Sequence, residues 1–165
     1  MLVVGLDPGW RCTGYAVVQG SAAGLWVREL GVLRTEATDL SARLREVYRE
    51  AVGLLREARP QVVALEDLFS HAHHPRTAVL MGHVRGVLCL AAAEFGAQVR
   101  TLAPAEVKGA VCGNGRATKA QVQAAVRASL GVQEALDPHA ADALALAVTI
   151  LARSGFPVRT PGVAR

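Results

Sequence analysis

The chain opens with short hydrophobic runs that are separated by turn residues. The run from Leu2 to Leu6 is almost wholly apolar and leads into an Asp-Pro-Gly sequence, which predicts a buried strand followed by a turn. Residues 14–18 and 25–33 are rich in Val, Leu and aromatic side chains, and Gly20 and Gly24 lie between them. This pattern predicts a hairpin that continues the sheet.

Farther along the chain, segments of helical spacing alternate with shorter apolar runs. The apolar residues from Leu40 to Ala58 recur at three- and four-residue intervals, which predicts an amphipathic helix, and Val62 to Leu65 is a second buried strand. The remaining predicted elements are a polar loop over 67–76, a helix over 77–95, a strand over 98–102, a short helix from 104, a helix over 118–131 and a final helix over 138–152. An antiparallel meander followed by strand–helix alternation predicts an α/β fold with helices on the faces of a mixed sheet.

The length and composition predict one cytoplasmic domain. A chain of 165 residues favours a single domain, over 1–153, with a flexible tail over 154–165. Hydrophobic residues make up 52% and charged residues 19%, which excludes wholesale disorder. The longest uncharged apolar stretch, 86–93, is far shorter than the ~18 residues of a membrane span. The N-terminal sequence lacks the basic region of a signal peptide, and three widely spaced cysteines indicate reduced thiols, so we expect no membrane partner.

A carboxylate follows each of two predicted buried strands. Asp7 follows the first, and Glu66 follows the strand that begins at Val62. Because sites in such sheets form at the carboxyl ends of parallel strands, neighbouring strands would bring the two side chains together. Two adjacent carboxylates beside an apolar core repel each other unless a proton or a cation lies between them, and Mg²⁺ or Mn²⁺ suits oxygen ligands. Taken singly, Asp7 also fits a turn and Glu66 also fits a solvated position.

The final predicted helix carries two further polar residues on one face. His139 and Asp142 are three residues apart, and the rest of this helix is mainly Ala and Leu, so we expect Asp142 to be at least partly buried. The helix dipole also favours an acid in the first turns, and His139 also fits a surface position. Asp137 is more readily explained as the cap of the helix than as a ligand. The combination of two strand-end acids with a helical acid favours a common site.

The basic residues suggest a polyanionic partner. The formal net charge is +4, and the only lysines, Lys108 and Lys119, flank a Gly-Asn-Gly turn together with Arg116. A solvated basic loop would account for this grouping. Phosphate contact is the functional alternative, because Lys119 stands at a helix start where backbone amides add positive charge.

Four groups of residues, in chain order, resemble the motifs of a known family. They are Gly5-Leu6-Asp7-Pro8-Gly9 with Thr13-Gly14-Tyr15, Ala64-Leu65-Glu66 with Phe69, Val107-Lys108 with residues 113–122, and His139-Ala140-Ala141-Asp142-Ala143-Leu144-Ala145. In order and register, from residue 1 to about 152, they resemble the RuvC-type Holliday junction resolvases of the ribonuclease H-like superfamily.

The resemblance implies a five-stranded mixed sheet in the order 3-2-1-4-5, flanked by helices. It also implies a catalytic quartet of Asp7, Glu66, His139 and Asp142, and both His and Asp occur in the family at the position of His139. The implied function is an endodeoxyribonuclease of recombination and DNA repair. Such an enzyme resolves four-way junctions by paired symmetric nicks that leave 5′-phosphate and 3′-hydroxyl ends.

Cofactors and DNA contacts follow from this expectation. Hydrolysis of a phosphodiester is well served by two divalent ions held by the quartet, and we expect Mg²⁺, with Mn²⁺ also suited because His139 offers nitrogen. The family implies that Lys108 and Lys119 lie near the scissile phosphate and that Phe69 stacks on an unpaired base, although an aromatic residue there also fits core packing. Further predicted phosphate contacts are Arg76, Arg116 and the cluster of His71, His73 and His74.

Paired nicks favour two copies of so small a domain, because one acidic cluster makes one cut. The helix over 77–95 is the candidate interface of the homodimer, with ordinary core packing as the alternative. The residues considered for this interface are Leu80, Val84, Val87, Leu88 and Ala91. The family also implies contact with branch-migration proteins of the RuvA and RuvB type.

Three other functions and one other mechanism fit parts of this sequence less well or equally well. A sugar-kinase or actin-like ATPase shares the core but needs two domains, and no Lys-Ser/Thr follows the glycines here. A non-catalytic junction-binding module has no use for the carboxylates. A nuclease for RNA–DNA hybrids would use the same quartet, so the sequence does not exclude it. No His is adjacent in sequence to Cys12 or Cys112, which disfavours a cysteine nucleophile.

Overall fold

Five strands and five helices form the part of the chain that the computed structural model describes, which is residues 1–67, 75–132 and 136–158. The strands are β1 (Leu2–Asp7), β2 (Cys12–Ser21), β3 (Gly24–Arg34), β4 (Val62–Glu66) and β5 (Gln98–Leu102). The helices are α1 (Leu40–Ala58), α2 (Pro75–Glu94), α3 (Pro104–Cys112), α4 (Lys119–Leu130) and α5 (Pro138–Arg153).

The strands form one mixed sheet in the order β3-β2-β1-β4-β5, which confirms the predicted order. β1 pairs antiparallel with β2 and parallel with β4, so that Val4 lies opposite both Val17 and Val63. β4 pairs parallel with β5. The carboxyl ends of β1, β4 and β5 therefore lie along the same edge of the sheet.

The element bounds agree with the sequence pattern except at the hairpin and at α2. α1 and β5 have their predicted bounds, but β2 and β3 extend past their apolar residues at both ends. Backbone pairing between the two strands continues as far as the turn and does not depend on apolar side chains. α2 begins two residues earlier than predicted, at Pro75.

Helices cover both faces of the sheet. α5, with α3 and α4, packs on one face, and α1 and α2 pack on the other. β1 contributes to both layers, since Val3 packs on the α5 side while Val4 and Leu6 pack on the α1 side. All six of its residues are buried, as expected for a central strand between two helical layers.

α5 lies directly against the backbone of the sheet because glycines face it. A side-chain carbon on Gly5 would lie 1.9 Å from the carbonyl oxygen of Ala143, and one on Gly14 would lie 2.0 Å from the carbonyl oxygen of His139. Any larger residue at either position would push the helix away. This close approach brings the first turns of α5 to the carboxyl end of β1.

α2 has a buried face and an exposed apolar face. Val84, Leu88 and Ala91 are fully buried in the core of their own chain, which corrects their predicted place in an interface between two chains. Val79 and Leu90 are 61% and 55% exposed instead. By length and composition the segment Arg76–Glu94 could cross a membrane, with a mean hydropathy of 1.3 and 22% of it buried. α2 packs on α1 within the fold, so the high hydropathy reflects a buried face in the core together with exposed apolar residues on the other side.

The packed chain extends past the predicted start of the tail at Ser154. Phe156 packs against the core beside α5, and its backbone N–H donates to the carbonyl of Leu151 at 3.1 Å. Residues 159–165 lie outside the described residues, so the flexible tail stays a prediction for them.

Candidate active site

Asp7 and Glu66 lie side by side at the carboxyl ends of β1 and β4. Leu6 and Leu65, the residues just before them, are direct partners in the parallel pairing of these strands. Asp7 is 8% exposed, and Glu66 is partly buried. The sheet thus juxtaposes the two carboxylates that the sequence analysis singled out.

The first turns of α5 bring two more predicted residues to this edge. Asp137 caps the helix by accepting a hydrogen bond from the backbone N–H of His139 at 2.9 Å. The Nδ1 atom of His139 lies 2.8 Å from Oδ2 of Asp7. Asp142 has a side chain that is 24% exposed, and it forms an ion pair with Lys119 at the start of α4.

Three of the four predicted quartet residues, Asp7, Glu66 and Asp142, line a cleft of about 280 Å³, whereas His139 contacts Asp7 from outside this lining. Its polar lining comes from Asp7, Glu66, Asp142, Lys108 and Lys119. The rest of the lining is apolar and comes from α3, α4 and α5, with Pro104, Val107, Val122, Ala145 and Leu146. Three carboxylates and two ammonium groups thus face one small space.

Burial and mutual repulsion disfavour the charged forms of the carboxylates. Burial raises the pKa of Asp7, and the hydrogen bond with His139 opposes this rise. Burial also raises the pKa of Glu66 to about 7, and the charges of Asp7 and Asp142 add to the rise. A site with such pKa values favours the binding of a proton or a cation near Glu66.

The ammonium group of Lys119 already provides a positive charge next to the three carboxylates. Burial by itself lowers its pKa, but the hydrogen bond to Asp142 and the charges of the three carboxylates raise it. The ammonium group therefore stays protonated at neutral pH and neutralises part of the carboxylate charge.

The donor set suits hard divalent metal ions, although its side chains pair with each other in this arrangement. Within residues 1–67, 75–132 and 136–158, no group of three or more His, Cys, Asp or Glu side chains is arranged to hold a metal. His139 is engaged with Asp7, and Lys119 with Asp142. Carboxylate oxygens with one imidazole nitrogen are ligands for Mg²⁺ or Mn²⁺, and such an ion would take the place of Lys119 beside Asp142.

Arg116 and Arg76, two further predicted contacts, lie outside the lining of the cleft. Arg116 is exposed in the turn between α3 and α4, where its backbone N–H donates to the side chain of Asn114 at 3.0 Å. Arg76 is exposed in the first turn of α2. Phe69 and the three histidines, His71, His73 and His74, lie outside the described residues.

Arg43 on α1 is a residue that the sequence analysis missed. Its Nη1 donates to the carbonyl of Trp10 at 3.0 Å, its guanidinium lies 4.8 Å from the centre of the Trp10 ring, and its side chain is buried. Trp10 belongs to the turn that follows Asp7, so Arg43 fastens this turn to α1. The sequence does contain an indication of this role: Arg43 is four residues before Val47 and therefore lies on the apolar face of the helix, where a charged residue is unusual.

Cys12 lies near the site, but its surroundings favour the neutral thiol over the thiolate that a nucleophile requires. Burial and the negative charges of Asp137 and Asp7 raise the pKa of its thiol, against the opposing charge of Arg34. The thiolate is the reactive form of cysteine, so these surroundings disfavour it.

Comparison with known proteins agrees with the fold and shows the family. A mixed sheet in this order, with helices on both faces, is of the ribonuclease H-like class. The family model "Crossover junction endodeoxyribonuclease RuvC" matches residues 3–150. The chain belongs to this family.

Relatives and a solved structure span nearly the whole chain. A crossover junction endodeoxyribonuclease RuvC of Rhodopirellula baltica is 44% identical over 148 residues, which are 88% of this chain and 83% of that protein. One of Anaeromyxobacter sp. (strain K) is 43% identical over 165 residues, or 100% of this chain and 88% of that protein. The structure of Thermus thermophilus RuvC in complex with Holliday junction substrate has a TM-score of 0.85 and 34% identity, and covers 94% of this chain and 96% of that one.

Proposed function

We propose that this chain is a structure-selective endodeoxyribonuclease of the cytoplasm that resolves four-way DNA junctions in recombination and repair. The observation that carries the proposal is the convergence of Asp7, Glu66 and Asp142 with Lys108 and Lys119 in one cleft. Membership of the RuvC family, and the Holliday junction bound by the Thermus thermophilus relative, supply the substrate.

The cofactor we propose is a pair of divalent ions, Mg²⁺ or Mn²⁺, held by Asp7, Glu66, His139 and Asp142. When bound, such ions lower the pKa of a water molecule and stabilise a leaving oxygen. The raised pKa values of Asp7 and Glu66 support this assignment, because burial first, and the neighbouring carboxylates second, disfavour the charged forms, and a bound cation would offset both effects. The nitrogen of His139 makes the donor set less negative than one of four carboxylates.

Side chains around the cleft hold the DNA in position and stabilise the negative charge that develops on the phosphate during hydrolysis. Water adds to the phosphorus, the bond to the 3′ oxygen breaks, and that oxygen takes up a proton, which leaves 5′-phosphate and 3′-hydroxyl ends. Lys108 and Lys119 line the cleft, where their ammonium groups stabilise the added negative charge on the phosphate. His139 holds Asp7 in place through its Nδ1 atom.

Two copies of the chain act together in this proposal, because a four-way junction has two-fold symmetry and the described residues of each chain form one cleft lined by carboxylates and lysines. The exposed face of α2 supports a homodimer, because it carries the apolar side chains of Val79 and Leu90 together with His83 and Gly86. These residues recur at three- and four-residue intervals and so lie along one side of the helix. A second copy of the chain would cover this side of α2 and bury Val79 and Leu90.

The DNA reaches beyond the cleft. We propose Phe69, Arg76 and Arg116 as further contacts, with Phe69 stacking on an unpaired base and the arginines binding phosphates. The positive net charge of +4 favours this partner. Branch-migration proteins of the RuvA and RuvB type are the protein partners that the family suggests.

A panel of labelled substrates tests this function. The purified protein is incubated with Mg²⁺ or Mn²⁺ and a synthetic four-way junction, a linear duplex of the same sequence, or an RNA–DNA hybrid. We expect paired symmetric nicks in the junction, with ends that a ligase can rejoin, and little cutting of the other two. Cutting of the hybrid without cutting of the junction would contradict the proposal.

A further inference from the structure

Arg85 on α2 is hydrogen-bonded to the end of the strand that carries Glu66. Its Nε atom donates to the main-chain carbonyl of Glu66 at 3.2 Å, and its Nη2 atom donates to Oγ1 of Thr101 at 2.7 Å. Thr101 lies on β5, so a single side chain spans the carboxyl ends of two neighbouring parallel strands. Between Arg76 and Glu94, α2 has no other Asp, Glu, Lys or Arg residue.

These bonds complete the hydrogen bonding of the backbone at Glu66. The next residue, Asp67, donates its backbone N–H to the carbonyl of Leu102 at 2.9 Å, which fixes this strand end to β5. The carbonyl of Glu66 accepts from Arg85 instead. The peptide that joins Glu66 to Asp67 is thereby held from both sides.

Arg85 acts on the backbone and not on the carboxylate. Among the described residues, no carboxylate forms an ion pair with it. It therefore leaves the Glu66 side chain free to face the cleft that Glu66 lines. A guanidinium has the shape for this task, because its fork can donate to two separate acceptors at once.

We propose that Arg85 is a positioning residue for Glu66, which holds the strand end so that the carboxylate faces the other acids. The inference rests on the function proposed above. It assigns to α2 a part in the geometry of the site, in addition to the part its outer face has in pairing two chains. Side chains that orient metal ligands commonly change metal affinity by about 10- to 100-fold when they are removed.

The test measures Mn²⁺ affinity by calorimetry in the absence of DNA, together with junction binding and kcat. In Arg85→Met we expect the affinity for Mn²⁺ to fall by about tenfold and kcat to fall with it, while junction binding is unchanged. Arg85→Lys keeps one donor group and should recover part of the affinity. Thr101→Val keeps the bond to Glu66 and should lose less than Arg85→Met. The control is Arg49→Met, an exposed arginine on α1 that should behave as wild type.

The results separate a positioning role from a merely structural one. A structural role would lower the melting temperature of Arg85→Met but leave the Mn²⁺ affinity of the folded protein at its wild-type value, and this result would overturn the inference. Should Arg85→Met fail to fold, wild-type affinity in both Arg85→Lys and Thr101→Val would overturn it. If wild type neither binds Mn²⁺ nor cuts the junction, the proposed function itself is wrong.

Discussion

Glu66 has a carboxyl group in surroundings that favour its neutral form. Burial raises its pKa to about 7, with Asp7 and Asp142 adding to the rise. A raised pKa in the folded state means that stability is greatest when the group is protonated and falls as the pH rises through the folded-state value. Without a metal ion, Glu66 thus lowers the stability of the protein above neutral pH.

This leads to a prediction for Glu66→Gln. The metal-free wild type should lose several degrees of melting temperature between pH 5 and pH 8, and the variant should lose less, because its amide does not titrate. At pH 8 the variant should be the more stable of the two, yet fail to cut. Melting curves in a chelator at several pH values measure this. Equal pH dependence in the two proteins would show that Glu66 does not have the raised pKa.

Lys119 would compete with a metal ion for Asp142 if the proposed site is correct, since it already forms an ion pair with that carboxylate. A partly exposed ion pair is worth up to about 1 kcal/mol, which corresponds to about fivefold in affinity. We therefore predict that Lys119→Met binds Mn²⁺ up to about fivefold more tightly than wild type in the absence of DNA, although it cuts the junction more slowly.

The matched control is Lys108→Met. Lys108 lines the same cleft, but no described carboxylate forms an ion pair with it. Titration calorimetry with Mn²⁺ compares the three proteins, and Lys108→Met should show less gain than Lys119→Met. Weaker metal binding in Lys119→Met would mean that the lysine supports the metal site and does not compete with it.

At the scale of elements, the contact of α5 with the sheet determines whether the site forms. A methyl group on Gly5 would meet the backbone of Ala143, which has no way to move without moving the helix. We predict that Gly5→Ala lowers the free energy of unfolding by about 1–3 kcal/mol and slows cutting, because His139 and Asp142 move with α5.

Gly53→Ala is the control for this substitution. Gly53 lies within α1, with open space where its side chain would be, so alanine there should raise stability by about 0.5–1 kcal/mol. Chemical denaturation measures both variants. A Gly5→Ala protein of wild-type stability would contradict the close packing of α5 on β1.

At this scale the sequence predicts which side chains meet when they lie at the ends of paired strands. Asp7 and Glu66 each end a strand, and the parallel pairing of β1 with β4 is enough to bring them together. The pairing of Lys119 with Asp142 depends on how α4 packs on α5, which no spacing along the chain determines.

For a related reason, three of the five residues considered for an interface on α2 lie in the core, where the alternative of ordinary core packing places them. This helix is apolar on nearly all sides, so periodicity cannot tell its core face from its exposed face. Leu88, predicted for the interface, is buried in the core, whereas Leu90 is exposed. The role of Arg85 does not follow from the sequence, because its hydrogen-bond partners, Glu66 and Thr101, are 19 and 16 residues away in the chain.

At the scale of the whole molecule, the proposed partner of the exposed face of α2 is a second copy of the chain. We predict that Leu90→Glu forms monomers, because the charge would be buried in the interface between two copies. Such monomers should nick a junction on one strand without the paired second cut. The control is Leu40→Glu, since Leu40 is also exposed but lies at the start of α1.

Analytical ultracentrifugation and the ratio of nicked to resolved junction measure the outcome. The two readouts should change together in Leu90→Glu and remain at wild-type values in Leu40→Glu. A Leu90→Glu protein that is still dimeric would exclude this face as the interface.

The substitution Asp7→Asn tests most directly whether the junction is cut in the cleft that Asp7 lines. Asparagine keeps the size of the side chain and an oxygen near His139, but removes the negative charge. Binding and cutting of one labelled four-way junction are measured in the same samples, in Mg²⁺, by gel shift and by denaturing gel. We predict wild-type binding with cutting reduced by at least about 1,000-fold, equivalent to roughly 4 kcal/mol of activation free energy. Cutting at the wild-type rate would contradict the assignment of this cleft as the active site.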